Sequence, residues 1–364
     1  MPRLLTTLFI VSSVLFSSAD SLLFSPYKDV TIGFDWTTNV VSTVALSDAG
    51  LDSVTWAFAT GVCGSETWAG ISGNSIATAN VQKWADAGIK YVVSTGGANG
   101  AFTCATADAL TAFVERYNSD GLIGIDFDVE GGVTQSDVDA LVTAAKAVQK
   151  NFPKLRFSFT VATTAYALGV HGLMVVDAFK RLGGDGLLVN LMAMDYGSTS
   201  NCVAKGGACD MGASAVSAAR AFSKAYGVSL DRTEVTVMIG GNDTPDEIFT
   251  LADVDTLAAF ALESGLAGLH FWSLDRDNDC ASGPAKPTCN SYGQAGAFGF
   301  SKQFLTALGE PQAPTPRPTK SPSPTPKSPK PTTKSPTTKS PSPTPKSPKP
   351  TKSPWRIPTP VGCR

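Results

Sequence analysis

Of 364 residues, 43% are hydrophobic and 16% are charged, and the net charge of −2 is a cancellation: residues 1–310 carry 18 basic and 31 acidic side chains, while residues 311–364 carry 11 basic ones and no acid. An acidic body of this size excludes nucleic acid as a partner, because phosphate neutralisation needs clustered Lys and Arg. With only His171 and His270 a three-His metal site is impossible, and no G-x-x-x-x-G-K-[ST] or G-x-S-x-G string occurs, which removes the phosphate loop and the nucleophile elbow.

In chain order, Met1-Pro-Arg3 is a positive start, Leu4–Phe16 an apolar run, and Ser17-Ser-Ala19 places small residues before a cleavage point after Ala19. This is the pattern of a secretory signal peptide over residues 1–19, too short for a span of roughly 20 apolar residues. The expected location is secreted, extracellular or cell-wall associated, with no membrane contact after cleavage.

Residues 20–310 read as one domain. Short β-rich runs alternate with Ala-rich amphipathic stretches. The strands expected are Val30–Trp36, Val54–Thr60, Tyr91–Gly97, Gly124–Glu130, Arg156–Ala162, Leu187–Tyr196, Val235–Gly240 and Gly268–Leu274. Stretches such as Ala107–Tyr117, Ser136–Lys150, Ala213–Tyr226 and Ala252–Ser264 have the three- and four-residue apolar spacing of helices. Eight strands separated by helices predict an α/β protein, a (β/α)8 TIM barrel, whose chemistry sits at the C-terminal strand ends. Secretion favours disulfides, and Cys202/Cys209 and Cys280/Cys289, close in sequence, are candidate local pairs that leave Cys63 with Cys104. Cys363 has no obvious partner.

The fourth strand reads Gly124-Ile-Asp126-Phe-Asp128-Val-Glu130. Strand side chains alternate, so the three acids share one face and Ile125, Phe127 and Val129 the other. In a barrel the apolar face packs on helices and the acids point inward, where like charges raise at least one pKa strongly. A carboxyl kept neutral near operating pH is the tool for protonating a glycosidic oxygen. Glu130, last on the strand, is the candidate donor, and Asp128 shares its proton with Asp126 or turns towards the sugar. No second carboxylate motif stands ready as a nucleophile.

These residues resemble glycoside hydrolase family 18, the chitinases and their relatives, whose mark on this strand is D-x-x-D-x-D-x-E; Ile123 replaces the first Asp, which bears on the pH profile. Ser94-Thr-Gly-Gly97, Trp56-Ala-Phe58-Ala, Met194-Asp-Tyr196 and Phe271-Trp272 resemble the family's other strand segments in order, over Val30–Asp277. The resemblance implies substrate-assisted hydrolysis of β-1,4-linked N-acetylglucosamine with retention, endo action preferred, without cofactor or metal. It implies that Glu130 is the general acid and base, Asp128 the partner of the acetamido nitrogen, Asp126 the support of Asp128, and Tyr196 the donor to the acetamido oxygen. It also implies that Trp272 forms the floor and that Phe58, Gly97 and Met194 line the pocket. Trp68 and Phe102 are candidates to extend the cleft, Asn242 and Asp243 to contact sugar, and Trp84 is assigned to the core. The partner expected is chitin or N-acetylglucosamine oligosaccharides, bound by a monomer. The alternatives are a chitin-binding lectin on the same barrel and an endo-β-N-acetylglucosaminidase acting on N-glycans.

The tail, 311–364, is low-complexity: Ser321–Thr332 and Ser340–Thr351 are the same twelve residues, SPSPTPKSPKPT. Proline this dense gives an extended, disordered spacer with nothing to bury, whose positive charge suits contact with cell-wall polysaccharide.

Overall fold

The structure is a computed structural model that describes residues 22–309. The expected leader, the proline-rich tail and Cys363 lie outside the described residues. Nine β-segments form one all-parallel sheet: β1 (Leu23–Phe24), β2 (Tyr27–Asp29), β3 (Ser53–Ala59), β4 (Lys90–Gly96), β5 (Leu122–Asp128), β6 (Arg156–Ala162), β7 (Leu188–Met192), β8 (Thr233–Met238) and β9 (Gly268–Trp272). The order β1-β9-β8-β7-β6-β5-β4-β3-β2 has its two ends in a single run of chain. Leu23 and Phe24 pair with Gly268 and Leu269, while Tyr27–Asp29 pair with Thr55–Ala57. Across the Ser25-Pro26 junction, the Ser25 N–H donates to the Leu269 carbonyl at 3.2 Å and the Thr55 N–H donates to the Pro26 carbonyl at 2.8 Å. Residues 23–29 therefore act as one first strand, and the sheet closes into the predicted eight-stranded barrel.

The first strand is the misplaced one. It lies ahead of Val30–Trp36, which instead forms turns and the start of a rim loop. Pro26 and the charged Lys28-Asp29 hide it from a pattern search, because both look like breakers. Pro26 is tolerated because the proline N sits at a change of partners. Lys28, only 3% exposed, is neutralised by Asp275 at 2.6 Å.

Around the barrel run α1 (Val44–Ala49), α2 (Gly73–Asp86), α3 (Ala107–Tyr117), α4 (Gln135–Asn151), α5 (Val170–Leu182), α6 (Met211–Tyr226), α7 (Leu251–Ser264) and α8 (Gly299–Leu308). Side-chain caps from Ser72, Thr106, Thr134, Asp210 and Thr250 set the starts of α2, α3, α4, α6 and α7. Thr134 with Asp137 and Thr250 with Asp253 form reciprocal capping boxes on α4 and α7. Each helix turns an apolar stripe to the sheet; on α4 it is Val138, Leu141, Val142, Ala145 and Val148. These stripes meet Ile125, Phe127, Phe157, Phe159, Val189, Leu191, Val235 and Phe271, the outward faces of the strands. Trp84 belongs to this layer, fully buried and edge-on to Trp56 at 4.9 Å. The inward faces are polar, with Thr55, Ser94, Asp126, Ser158, Thr160, Asn190, Glu234, Thr236 and His270 all buried. Arg156 donates to Glu234 at 2.5 Å low in this interior, with His270 Nε2 at 3.7 Å on the other side of the carboxylate. Among the described residues no helix is long and apolar enough to cross a membrane.

Candidate active site

Alternation on β5 places Asp126 and Asp128 in the barrel, with Ile125 and Phe127 buried behind them. The strand ends at Asp128, so Glu130 lies two residues beyond it, half-buried at the mouth. Ile123 occupies a register shift between β4 and β5, where Tyr91–Val92 face Leu122 and Gly124, and is half-buried.

Asp126 sits in a lattice of hydroxyls. Its Oδ2 accepts from Ser94 at 2.6 Å and Tyr27 at 2.9 Å; its Oδ1 accepts from Thr160 at 2.7 Å and Ser158 at 2.8 Å. Asn190 donates to Thr160 and Tyr27, and Thr236 donates to Asn190, so the lattice extends over six strands. Burial raises the Asp126 carboxyl while the four hydroxyls pull it back, and burial wins. Asp128 is pushed well above its ordinary range by burial, then by the charges of Glu130 and Asp126 and by a hydrogen bond with Glu130; its Oδ1 has no partner. Burial lifts Glu130 too, opposed by the bond from Asp128 and reinforced by the charge of Asp195. Asp128 and Glu130 together hold a proton at a pH where isolated carboxyls would have lost it.

The walls are aromatic. Trp272, half-buried at the end of β9, stacks on Phe58 with centroids 5.6 Å apart and planes 15° off parallel, and Tyr27 borders both. Phe58 packs against Gly97, which has φ +83° and where a Cβ would come within 2.8 Å of the ring. Met194 is half-buried on the same inward series as Asn190 and Met192.

Tyr196 departs from its expected place. It is 4% exposed within the layer between sheet and helices, and its hydroxyl faces Ser214 of α6 without a hydrogen bond of normal geometry. The cause is Asp195, whose left-handed φ of 48° interrupts the alternation that would have carried Tyr196 inward. Asp195 itself takes the rim position. It is exposed, but the concave mouth around it raises its carboxyl, which accepts from the N–H groups of Asp243 and Thr244 at 2.7 and 3.3 Å. Nothing in the residue pattern announces that reversal.

Trp68 and Phe102 do not extend the cleft. They are 1% and 5% exposed, and the Trp68 indole donates to Tyr117 at 2.8 Å, away from the mouth. Asn242 is also spent internally: its amide donates to the carbonyls of Met238 and Gly240 and accepts from Asp195 N–H. Asp243 remains exposed at the rim. Sequence reasoning missed Tyr27, hidden in the misplaced first strand, and Ser158, Thr160 and Asn190, whose polar alternation on β6 and β7 was legible. The cysteine pairs form as expected, Cys63–Cys104, Cys202–Cys209 and Cys280–Cys289, with Cα atoms 5.2, 5.6 and 5.8 Å apart. All three lie outside the barrel strands.

A closed parallel barrel with coupled carboxyls at one strand end and aromatic walls beside them is an arrangement that can hold a proton over an apolar platform. No protein-family model matches the chain. Endochitinase 11 of Metarhizium anisopliae is 26% identical over 224 residues, covering 56% of this chain and 42% of that protein. A probable bifunctional chitinase/lysozyme of Escherichia coli (strain K12) is 27% identical over 212 residues, covering 53% of this chain and 24% of that protein. The chain thus spans less than half the length of these curated relatives. Among solved structures, catalytic-site mutants of active domain 2 of the thermostable chitinase from Pyrococcus furiosus, complexed with chito-oligosaccharides, superpose with a TM-score of 0.63 at 25% identity, covering 79% of this chain and 94% of that one. The barrel of this chain is therefore similar to chitinases in both sequence and fold.

Proposed function

We propose that the protein is a secreted chitinase that hydrolyses β-1,4-linked N-acetylglucosamine polymers with retention of configuration. The observation that carries this reading is the Asp128–Glu130 pair, two hydrogen-bonded carboxyls raised by burial and by each other at the barrel mouth. A glycosidic oxygen leaves readily only when protonated, and this pair holds that proton. Glu130 gives it to the leaving oxygen as the bond to the anomeric carbon breaks. The substrate's own acetamido carbonyl oxygen attacks that carbon from the opposite face, forming a cyclic oxazolinium. Asp128 accepts a hydrogen bond from the acetamido N–H and balances the positive charge, while Asp126 and its four hydroxyls hold Asp128 in place. Glu130, now a carboxylate, takes a proton from water as the water oxygen attacks the anomeric carbon and reopens the ring. Two inversions give net retention.

Trp272 lies beneath the sugar at the cleavage point, where an indole face suits the apolar face of a pyranose, with Phe58, Gly97 and Met194 around it. Tyr196 has no part in this scheme, because its hydroxyl is on the helix side of the sheet. The chito-oligosaccharides bound by the Pyrococcus furiosus domain support the substrate class. Export is supported by the leader-like start of the sequence and by three disulfides, which persist in oxidising compartments. The basic tail serves as a spacer that contacts wall polysaccharide.

Glu130→Gln tests the reading. Removing a general acid costs on the order of 10²–10⁴ in kcat. Turnover of a chitotetraose chromogenic substrate should fall by at least that much, while oligosaccharide binding by calorimetry persists. Rapid cleavage of fully deacetylated chitosan, which lacks the acetamido nucleophile, would overturn the mechanism.

A further inference from the structure

Trp272 stands beside the one seam where the barrel is not laddered along its whole height. The β1 half of the first strand pairs with Gly268 and Leu269 of β9, and the Ser25 N–H still reaches the Leu269 carbonyl. The β2 half, Tyr27–Asp29, has its ladder with β3 alone among the described residues. Its other flank faces the upper end of β9, where the Tyr27 and Trp272 rings lie 6.3 Å apart. From Tyr27 to the mouth, side chains therefore close the seam. Asp275, three residues beyond Trp272, spans it. Its Oδ2 accepts from the Asp29 N–H at 2.9 Å and its Oδ1 meets the Lys28 ammonium at 2.6 Å, with the two charged side chains only 3% and 6% exposed. Lys28 also donates to the carbonyls of Asp29 and Ile32.

The residues after Asp275 are committed elsewhere. Arg276, buried, donates to the carbonyls of Ile239, Gly241 and Lys286 at 3.1, 2.5 and 2.8 Å. Asp277, also buried, accepts from the N–H groups of Phe300 and Ser301 at the start of α8, at 3.0 and 2.8 Å. The run Asp275-Arg276-Asp277 thus ties the exit of Trp272 in three directions, and only the tie of Asp275 crosses the seam. An ion pair this dry adds little net stability, because desolvation offsets most of the attraction. What it supplies is geometry. It fixes Trp272 against Tyr27 and, through the stack at 5.6 Å, against Phe58.

We propose that Lys28 and Asp275 are positioning residues, an ion-pair clasp that closes the seam between the first and last strands and holds the Trp272 indole where it meets the sugar. This rests on the chitinase reading. Neither residue touches substrate; both act through Trp272.

The test measures kcat/KM on a fluorogenic chitotetraose glycoside, sensitive enough for slow variants, with thermal unfolding to verify that each variant is folded at the assay temperature. Asp275→Asn keeps the bond from Asp29 N–H and removes the charge. Lys28→Met/Asp275→Asn also leaves no buried charge without its partner, so it separates loss of the clasp from loss of the fold. Each should lower kcat/KM roughly tenfold, the worth of one well-placed aromatic contact. Both are then repeated in a Trp272→Ala background. There they should lower kcat/KM no further, while their shifts in unfolding temperature persist, because a residue acting through Trp272 has nothing left to position. Wild-type kcat/KM in Lys28→Met/Asp275→Asn would overturn the clasp and leave the chitinase reading standing. So would a tenfold loss that recurs in full without Trp272. A wild-type protein with no turnover would remove the chitinase reading, and the clasp's role with it.

Discussion

Replacing Glu234 by Gln tests the polar interior where it is most loaded. Glu234 is 2% exposed on β8, with the Arg156 guanidinium at 2.5 Å and His270 at 3.7 Å. Burial alone would raise its carboxyl; Arg156 and His270 outweigh burial and bring it down to about 2. An unperturbed Glu titrates near 4.3, so the depression is about two units, or about 3 kcal/mol at 1.36 kcal/mol per unit. Because the folded-state pKa is the lower one, this stability is fully present above about pH 4.3 and is lost as pH falls towards 2. The variant also leaves the half-buried Arg156 guanidinium without its carboxylate, a loss in the same direction. Urea unfolding of wild type and Glu234→Gln at pH 7 should differ by about 3 kcal/mol, with the gap shrinking below pH 4. An equal gap at pH 7 and pH 2.5, or none at pH 7, would refute the account.

Tyr196→Phe should leave kcat/KM on chitin oligomers within about twofold of wild type, because the hydroxyl faces α6 with no hydrogen bond to lose; a hundredfold loss would return Tyr196 to the site. Gly97→Ala forces a Cβ to within 2.8 Å of the Phe58 ring at a φ of +83°. It should destabilise by more than about 1 kcal/mol in thermal unfolding and raise KM as the Phe58–Trp272 stack shifts. A variant with wild-type KM would show that the stack does not shape the pocket.

How legible all this was depended on whether a residue's role followed from its neighbours in sequence. The alternation of Asp126, Asp128 and Glu130 needed only period two, and the structure brings Asp126 and Asp128 to one inward face with Glu130 just beyond the strand end. The helices over Ser136–Lys150 and Ala252–Ser264 followed from apolar residues at three- and four-residue spacing. The first strand did not follow, since Lys28 becomes acceptable inside only with Asp275, nearly 250 residues away. Tyr196 failed for a smaller reason, one residue with positive φ. The cleft aromatics were sought at Trp68 and Phe102, but hydrophobicity cannot tell a ring under a loop from a ring on top of one.

The split first strand also governs when the molecule can be finished. Its β1 half has no partner until Gly268 and Leu269 exist, and the His270–Ser25 contact spans 245 positions. At about 5–20 residues per second, synthesis takes on the order of 10–50 s to bridge that interval. During that time the nascent sheet is an open fan, with β3 joined to β2 at one edge and the latest strand bare at the other. An unpaired edge invites pairing with another chain. The last barrel strand is therefore the latch, and a polypeptide cut short before residue 268 carries almost the whole sheet yet leaves it open to aggregation.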